Sequence, residues 1–542
     1  MITASLWLAA LGPLALLLAF LLPATLRGVT PKAMNRIAGA TSLATLAVAL
    51  VIVVAVCRNG QMRTLPIEAW GVGVAVYLDA VSATMFCLVA FIGVIVMRYS
   101  ATYMDGDPRQ VLFVRLLCLT LSAVLMLAIA GNLFEFAVFF WATAMGLHRL
   151  LIFYPERPAA IFAARKKYFI SRIGDLSLIV AIVLLYRAFG SLDYATLFAQ
   201  ADVLRLKGEM MPGVSFAVLC LVIAALLKSA QFPSHGWLIE VMETPTPVSA
   251  LLHAGIINAG GFLVVRFADL VSLSLPSMHV LALIGGFTAL FGSVVMLTQT
   301  SIKVQLTYST VAQMGFMMLE CGLGAFSAAM LHILAHSFYK AHAFLSSGSV
   351  IDIYRTSFTP SPGGKPHPLR LIFSIGGVLA VTLIFSIVTG YTITAQPGVF
   401  TLAAVLLLSL MHLVANGIDE RPNAYVVIRV LIMAVLVAGA YFALQYGSDI
   451  VLAAALPKTQ PLRGVFGVLV VVAVVGSYAA VTFLQGSVPK RQAEARWQAF
   501  YAHVNNGFYV NTWANRLVLR YWSGAPPAPA SKRPSLSLRA GA

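Results

Sequence analysis

The feature that most constrains this chain is a succession of apolar stretches that are each long enough to cross a lipid bilayer. A membrane-spanning helix needs roughly 20 apolar residues, and about fifteen such runs occur by this criterion. Their approximate ranges are 4–24, 36–57, 77–98, 111–130, 132–153, 168–187, 214–230, 245–267, 278–298, 302–320, 325–350, 372–393, 399–416, 424–446 and 462–485. Because the runs are continuous rather than alternating, we predict an all-α polytopic membrane protein and exclude a barrel.

Composition and charge agree with a membrane protein. Hydrophobic residues make up 60% of the chain and charged residues 10%, whereas soluble domains carry roughly 25% charged residues. Basic residues gather in alternate connections, namely Arg27, Lys32 and Arg36 in the first, Arg98 and Arg109 in the third, and Arg157, Arg165, Lys166 and Lys167 in the fifth. The positive-inside rule therefore places these connections in the cytoplasm and the N-terminus outside.

This orientation also accounts for the formal net charge of +17. We predict a multi-pass protein of a bacterial inner membrane, in contact with lipids, with no nucleic-acid partner. The first run lacks a basic N-terminal region and a small-residue cleavage site, so we expect it to remain as a helix. The five cysteines form no C-x-x-C pair, which indicates neither a zinc site nor a disulfide framework. We predict no metal, no cofactor and no catalytic site in the chain itself.

Two polar segments divide the sequence. Residues 355–370 are rich in Pro, Gly and basic residues, which indicates a flexible connection between two helix bundles. The stretch after Pro489 mixes aromatic and basic residues, which suits a helix at the membrane surface or against a partner. The predicted segments are N-terminal transmembrane helices (1–75), a transmembrane core (76–352), a loop (353–371), C-terminal transmembrane helices (372–486), an amphipathic cytoplasmic segment (487–522) and a disordered tail (523–542).

Ionisable residues inside membrane helices mark the candidate site, because each costs a few kcal/mol on insertion scales. Lys228 stands at the end of the seventh run, and the nearby Pro233 cannot donate to a helix ladder. Pro245 and Pro247 precede the next run, which carries His253. Broken helices mark ion paths in transporters. We therefore predict a broken seventh helix, with Lys228 beside the break and with Pro233, Pro245 and Pro247 as the prolines that break it.

This region resembles the antiporter-like proton-channel subunits of respiratory complex I and of Mrp antiporters, above all the subunit 5 (NuoL-like) branch. The resemblance rests on KSAQFP from Lys228 and on PTPVSALLHA from Pro245. Other matching stretches are Leu78-Asp79, SRIGD from Ser171 to Asp175, Lys303 with YST and QMG downstream, and His332 with HSFYKA from His336 and SGSV from Ser347. The resemblance covers roughly residues 75–352.

The resemblance implies an antiporter-like fold and a proton path. Lys228 resembles the central lysine of the family, and Asp175 resembles a carboxylate near the channel entrance. The residues that resemble relay and axis groups are His253, Lys303, His332, His336 and Lys340. Histidine suits a relay because it titrates near neutral pH. A buried lysine passes on its proton when a nearby carboxylate moves away or is neutralised.

Two departures from the family are visible. Family members carry a glutamate directly after the tryptophan of the fifth helix, paired with the central lysine, whereas Ala142 follows Trp141 here. Glu135 lies one heptad earlier, close to the same face, and is a candidate substitute. We expect Glu135 or Asp175 to supply the carboxylate near the path. The run 372–393 has no charge, although complex I subunits carry a second lysine in a second broken helix.

Each candidate also has a structural interpretation that the sequence leaves open. Lys228 can extend its ammonium group to the membrane surface. His332 and His336 are four residues apart on one helix face and can form a structural hydrogen-bonding pair. Asp175 can be an ion-pair partner of Arg172 without a role in transport.

A short subunit-5-like chain without the helix-five glutamate is similar to one group, the membrane subunits of bacterial inorganic-carbon accumulation complexes. The stretch from Leu147 to Ala160 and the sequence NNGFYV from Asn505 to Val510 carry this resemblance. It implies a large carbonic-anhydrase-like zinc protein (DabA-like) as partner, and accumulation of CO₂ or bicarbonate driven by a cation gradient.

Two other functions remain open. The chain can be the ion-translocating subunit of a NADH-quinone oxidoreductase or of a multi-subunit cation/proton antiporter, or a non-conducting membrane anchor for a soluble partner. The sequence does not distinguish H⁺ from Na⁺ as the coupling ion, nor CO₂ from bicarbonate, nor whether this chain itself carries carbon. It also leaves open what replaces the glutamate at Ala142.

Overall fold

A computed structural model describes residues 6–25, 28–65, 67–69, 72–208, 211–348, 397–417, 424–457, 465–487 and 494–521, with a few single positions between 376 and 387. Three predicted segments lie outside these residues, namely the loop 353–371, nearly all of the run 372–393 and the C-terminal residues 523–542. The predictions made for those three segments, and the division of the chain into six segments, stay predictions.

Helices make up nearly all of the first half. A short 3₁₀ helix, Leu6–Ala10, leads into the first of them. In chain order they are α1 (Leu11–Thr25), α2 (Pro31–Asn59), α3 (Ala80–Tyr103), α4 (Gln110–Ile129), α5 (Leu133–Leu151), α6 (Pro158–Phe189), α7 (Tyr194–Lys207) and α8 (Val214–Lys228). Between α2 and α3 lie four short strands, β1 (Met62–Arg63), β2 (Ile67–Ala69), β3 (Val72–Val74) and β4 (Tyr77–Leu78). Strand β1 pairs antiparallel with β4, and β2 with β3.

The second half continues the helical pattern. Its helices are α9 (Gly236–Glu240), α10 (Thr246–Arg266), α11 (Ala268–Val271), α12 (Leu275–Met296), α13 (Ile302–Gly322), α14 (Phe326–Leu345), α15 (Pro397–Gly417), α16 (Ala424–Leu452), α17 (Val465–Ser487), α18 (Ala495–Asn505) and α19 (Val510–Tyr521). Short 3₁₀ helices, Val241–Glu243 and Gly507–Tyr509, precede α10 and α19.

The apolar helices confirm the predicted fold class. Within the described residues, seven helices are long and apolar enough to cross a membrane, and three shorter apolar stretches accompany them. The long ones are α2, α3, α4, α6, α10, α12 and the part Ile432–Leu452 of α16. The chain is therefore an all-α polytopic membrane protein, apart from the four short strands, which the sequence analysis did not predict. The predicted number of about fifteen crossings stays a prediction.

Small residues allow α12 and α13 to approach closely. A Cβ atom added at Gly285 would lie 2.6 Å from the backbone nitrogen of Leu319, and one added at Gly315 would lie 2.5 Å from that of Ala289. Membrane helices associate through such small-residue contacts because lipid removes the usual hydrophobic drive. This contact fixes α13, which carries part of the candidate site.

The start of α6 corrects the sequence analysis. Residues before 168 were predicted as a cytoplasmic connection, but α6 begins at Pro158. Lys166 and Lys167 are therefore helical, and each is only 3% exposed. The motif from Ser171 to Asp175 lies inside the helix rather than at its entry. Lys166 and Lys167 resembled loop residues in the sequence. A charged side chain buried in a helix needs polar partners, and a single sequence does not show those partners.

The C-terminal segment 494–521, here called the tail, packs against one end of the helix bundle. Gln299 Nε2 donates to Asn505 O at 3.0 Å, and the Tyr501 hydroxyl donates to Thr298 O at 3.3 Å. Helix α19 reaches α9, where Asn515 Nδ2 donates to a Glu240 carboxylate oxygen at 2.6 Å. The tail thus marks one membrane face, which the positive-inside rule predicts to be cytoplasmic.

Candidate ion pathway

The lysine helix is broken where the sequence predicts it. Helix α8 ends at Lys228, and helical structure resumes only at Gly236. Between them Ala230 is buried and has φ of 51°, a left-handed conformation that costs an L-residue about 1–2 kcal/mol. Such strain persists where the surroundings impose it, and it gathers at functional sites. Pro233 lies in the break itself.

Pro245 and Pro247 have a different place from the predicted one. Pro245 is the N-cap of α10, and Pro247 lies in its first turn. Proline is favoured at helix starts because its missing N–H has no intrahelical partner there. These two prolines therefore begin the next helix rather than break the lysine helix.

Two buried lysines contact carbonyl groups of the same helix. Lys228 Nζ donates to Phe140 O at 3.1 Å and lies 4.1 Å from the centre of the Phe140 ring. Lys167 Nζ donates to Ala144 O at 2.7 Å. Both acceptors belong to α5, one on each side of Ala142. Backbone carbonyls thus hold the ammonium groups near the position where the resemblance implies a glutamate.

Asp175 is the carboxylate whose charge acts on Lys228. It lies within α6 and forms an ion pair with Arg172, with 2.6 Å between Oδ2 and an Nη atom. The charges of Asp175 and Arg172 act on Lys228, and those of Lys228, Arg172 and Asp175 act on Lys167. The Arg172 pairing that the sequence left open is present, together with an electrostatic link to the lysine.

Glu135 has a different environment. Its two carboxylate oxygens accept hydrogen bonds from the backbone nitrogens of Ala75, at 3.0 Å, and Gly131, at 2.9 Å. Asn132 caps the first turn of α5 beside it by accepting from Glu135 N at 2.8 Å. The structure gives Glu135 a role in joining α5 to the segment before β4.

A second group of titratable residues surrounds α14. His253 lies in a π-helical segment of α10, Leu252–Ile256, and its ring stacks on Phe344 with 4.3 Å between centroids. Lys340 Nζ donates to Leu306 O at 3.0 Å, and its charge acts on His253. Within the described part of the chain, neither ring nitrogen of His253 has a hydrogen-bond partner. π-helical segments are frequent at functional sites.

The histidines of α14 continue this group. His332 and His336 have ring centroids 6.1 Å apart, and His336 lies in the field of His253 and Lys340. His332 Nδ1 lies 3.1 Å from a carboxylate oxygen of Glu320. Glu320 could not be predicted as a site residue from the sequence, because a single acid close to a helix end resembles a surface residue until its imidazole partner is known.

Polar side chains lie between the lysine group and the histidine group. Ser229 Oγ donates to Ile257 O at 3.1 Å, and Asn258 Nδ2 donates to Ser337 Oγ at 2.8 Å. Among the described residues, the buried amide oxygens of Asn258 and Gln231 accept no hydrogen bond from the protein. Buried polar atoms of this kind usually bind water. These side chains lie directly after α8, on α10 and on α14, the elements that carry Lys228, His253 and His336.

Lys303 is half-buried in the first turn of α13. It lies one turn before Leu306, whose carbonyl accepts from Lys340 Nζ. Its place in the ion path stays a prediction. Within the described structure, no cluster of three or more His, Cys, Asp or Glu side chains is arranged to hold a metal ion.

A polar cluster at the tail joins α6, α9 and α19, and the sequence analysis did not identify it. Lys166 Nζ lies 3.4 Å from a Glu240 oxygen and donates to Asn515 Oδ1 at 2.6 Å. It also donates to Asn511, whose Nδ2 donates to the same Glu240 oxygen at 2.9 Å. A Cβ atom at Gly236 would collide with Asn511. The broken helix is thus closed on this side by the chain's own tail.

Comparison with known families agrees with the fold. The transmembrane family described as NADH:quinone oxidoreductase/Mrp antiporter matches residues 130–364, and the N-terminal family of complex I chain 5 matches residues 65–114. The structure of the Mrp complex from Dietzia sp. aligns with a TM-score of 0.61 at 20% identity, over 97% of this chain and 61% of that one. The chain is therefore an antiporter-like membrane subunit of the complex I and Mrp class.

Similar sequences indicate a narrower family within this class. The probable inorganic carbon transporter subunit DabB2 of Halothiobacillus neapolitanus is 36% identical over 491 residues, which cover 89% of this chain and 88% of that protein. The NAD(P)H-quinone oxidoreductase chain 5 of Synechocystis sp. is 39% identical over 281 residues, which cover 51% of this chain and 40% of that protein. The chain belongs to the DabB family. Both parts of the resemblance found in the sequence are confirmed.

Proposed function

We propose that this chain conducts protons across a bacterial inner membrane and thereby energises inorganic carbon uptake, together with a large carbonic-anhydrase-like zinc partner. The observation that carries this proposal is the position of Lys228. Its ammonium group is buried beside a broken helix and donates a hydrogen bond to Phe140 O. The charge of Asp175 acts on this group. A charged group is retained inside a membrane helix at considerable cost, which favours a role in transport.

The chemistry of the path favours protons over sodium. Hard metal cations take several oxygen ligands, whereas the buried groups here are mostly amines and imidazoles. Lys167, Lys228 and Lys340 would repel a sodium ion when protonated. Each can instead hold and release a proton, and His253 and His336 lie beside Lys340 to accept it.

In this proposal the surroundings of Lys228 change its proton affinity without a glutamate at position 142. Phe140 O and the Phe140 ring favour the ammonium form. The charge of Asp175 favours it further, while Arg172 opposes it. When Asp175 is protonated or moves away from Lys228, Lys228 releases its proton more readily. The polar set from Ser229 to Ser337 leads onward from the amine.

The carbon-transport role is supported by length as well as by similarity. This chain aligns with nearly the whole of the DabB2 protein, whose name describes a probable inorganic carbon transporter subunit. It aligns with well under half of the quinone oxidoreductase chain 5. A match over the full length favours the role of the carbon-transporter relative. In this proposal the hydration of CO₂ takes place on the zinc partner, while the present chain supplies protons.

Uptake of labelled inorganic carbon tests the proposal. Cells that express this chain together with a large carbonic-anhydrase-like zinc protein should accumulate carbon, and a protonophore should abolish the accumulation. Replacing sodium by potassium in the medium should leave the accumulation unchanged. Accumulation that needs sodium would contradict the proton coupling, and accumulation at the full rate without the zinc protein would contradict the partner. Accumulation that persists with the protonophore would contradict the energising role.

A further inference from the structure

The carboxylate of Glu320 and the ring of His332 form a close pair inside the helix bundle. His332 Nδ1 lies 3.2 Å from Oε1 and 3.1 Å from Oε2 of Glu320. The two side chains are 11% and 6% exposed. Glu320 is the single acidic residue of α13, and α14 has none. The bundle therefore keeps one isolated carboxylate next to an imidazole, although each would be costly to bury alone.

This pair lines a cavity of about 560 Å³ between α13, α14, α15, α16 and α17. A water occupies roughly 30 Å³ of liquid volume, so the cavity accommodates a chain of waters. His336, Tyr441 and Tyr478 share its wall, and the charge of Glu320 acts on both tyrosines.

The cavity wall also contains unpaired polar atoms. Gln445 is fully buried, and in the described part of the chain its amide oxygen has no hydrogen-bond partner. The same holds for His336 Nε2. Both residues line the cavity. Polar atoms buried in this way point to a bound polar species, and water is the one that fits the cavity.

A carboxylate on α16 extends the polar wall. Gln445 Nε2 donates to Asp449 Oδ1 at 3.2 Å and to Ser327 Oγ at 3.2 Å. The Ser327 hydroxyl also donates to Asp449. Asp449 is partly exposed, and its charge acts on Tyr441. Titratable groups thus continue from the buried pair to a group in contact with the surface.

Glu320 lies at the membrane face opposite the tail. Helix α13 begins at Ile302, next to Thr298 and Gln299, which contact the tail. It ends at Gly322, and its 21 residues give a length of about 30 Å, close to the thickness of the hydrocarbon core. Glu320 in its last turn therefore lies near the far face, whereas the Lys166–Glu240 cluster lies at the tail face.

We propose that Glu320 and His332 form a second proton-binding site, through which protons pass between His336 and the membrane face opposite the tail by way of the cavity and Asp449. This inference rests on the proposed proton conduction and adds the residues at the outer end of the path. It also supplies a protonatable group in the C-terminal half, where the run 372–393 has no charge.

The proton transfer balances within the pair. His332 Nδ1–H donates to the Glu320 carboxylate, so a proton that arrives from His336 binds His332 at Nε2. The imidazolium then transfers its Nδ1 proton to Glu320, and the imidazole is neutral again with its proton on Nε2. The neutral acid releases a proton to water in the cavity, and the carboxylate is restored. Water in the cavity then takes the Nε2 proton and returns one to Nδ1, which restores the first tautomer with no net gain or loss of protons.

The test compares Glu320→Gln with Glu494→Gln in the reconstituted complex, with proton flux followed by a pH-sensitive dye inside liposomes. Glu494 is exposed and serves as the matched control. We expect Glu320→Gln to lower flux by at least about 100-fold, the contribution of a positioned proton-transfer group, and Asp449→Asn to lower it less. The Glu320→Asp variant should retain part of the flux, which separates loss of the acid from loss of the fold.

A chemical label gives a second readout that does not depend on transport. A hydrophobic carbodiimide adds to a protonated carboxyl group in a membrane and leaves a stable acylurea, which peptide mass spectrometry locates. We expect labelling at Glu320 that decreases as the pH rises and that is unaffected by sodium. If sodium protects Glu320 from labelling at constant pH, the site binds sodium rather than a proton. If wild-type liposomes carry no proton flux, the proposed function fails; if they do and Glu320→Gln equals wild type, only the second site fails.

Discussion

The ammonium group of Lys228 lies 3.1 Å from the carbonyl oxygen of Phe140 and 4.1 Å from the centre of its ring. One residue of α5 therefore contributes both a dipole and an aromatic face to the central amine. Cation–π contacts of desolvated ammonium groups contribute about 2 kcal/mol or more. We expect Phe140 to provide part of the stabilisation of this ammonium group that the resemblance assigns to a glutamate at position 142.

The aromatic face of Phe140 is testable by substitution. Phe140→Leu retains the backbone carbonyl and most of the apolar volume but removes the ring quadrupole. We expect proton flux to decrease by roughly 5- to 30-fold, the range that corresponds to 1–2 kcal/mol, while assembly remains intact. Phe140→Tyr, which keeps the ring, should stay within about 3-fold of wild type on the same energy scale. Equal flux in the Leu and Tyr variants would show that the ring contributes nothing to the site.

Lys167 is expected to act on the path as a second amine. It bonds to Ala144 O and lies in the electrostatic field of Lys228. Lys167→Met removes this charge but keeps a long apolar side chain, so the bundle should assemble while the pH dependence of flux changes. The measurement is initial proton flux between pH 6 and pH 9. Lys207→Met, at an exposed position of α7, is the control, and a pH profile shared by both variants would contradict this role.

Substitutions of Asp175 and Glu135 should change different measured properties, namely proton flux for Asp175 and stability for Glu135. Asp175→Asn removes the charge that acts on Lys228, and we expect slower proton flux with unchanged thermal stability. Glu135→Gln disturbs the hydrogen bonds to Ala75 and Gly131, and we expect a loss of about 1.5–3 kcal/mol in stability with flux per folded molecule retained. The result that contradicts this division is normal flux in Asp175→Asn together with impaired flux in stable Glu135→Gln.

The ion pair of Arg266 and Asp79 should be the main electrostatic support of α3. Its two hydrogen bonds measure 2.7 and 2.8 Å, and both side chains are buried. Asp79 also caps α3 by accepting from Ser82 N at 2.8 Å. Arg266→Met leaves a buried unpaired carboxylate and should destabilise the protein by about 3–5 kcal/mol.

A double variant separates charge from packing at this pair. Asp79→Asn retains a capping side chain, so combining it with Arg266→Met should restore most of the melting temperature measured in detergent. A double variant that is no more stable than Arg266→Met would show that the uncompensated charge is not the cause.

Because the tail contacts Glu240, we expect the backbone amides of the tail to be protected from hydrogen exchange. Asn511→Ala combined with Asn515→Ala removes the hydrogen bonds that join α19 to Glu240 and Lys166. Each such bond contributes about 1 kcal/mol, so hydrogen exchange in 507–521 should accelerate by at least about 5-fold. Thr512→Ala, on the exposed side of α19, should leave exchange unchanged. Equal exchange in the two variants would contradict docking of the tail.

The sequence predicted those features that have a local physical signature. Long apolar runs predicted the membrane helices, and a lysine followed by proline predicted the break at Lys228. Histidines at helical spacing predicted that His332 and His336 share one face of α14. These predictions hold because bilayer thickness, proline chemistry and helix periodicity act within a few residues.

Features that depend on tertiary partners were not accessible in this way. Lys166 and Lys167 resembled loop residues, since the groups that satisfy them come from α5, α9 and the tail. Glu320 appeared isolated until α14 placed His332 beside it. Glu135 resembled a partner of Lys228 by helical register alone, but backbone groups from before β4 occupy its carboxylate.

The central claim is that Lys228 carries the conducted proton, and the most direct measurement is proton flux into liposomes that contain the purified complex. A potassium diffusion potential drives the flux, and an internal pH dye records it for wild type, Lys228→Ala and the exposed control Lys207→Ala. The account predicts that Lys228→Ala assembles normally but conducts at least about 100-fold more slowly, while Lys207→Ala equals wild type. A well-assembled Lys228→Ala complex that conducts protons at the wild-type rate would contradict the account.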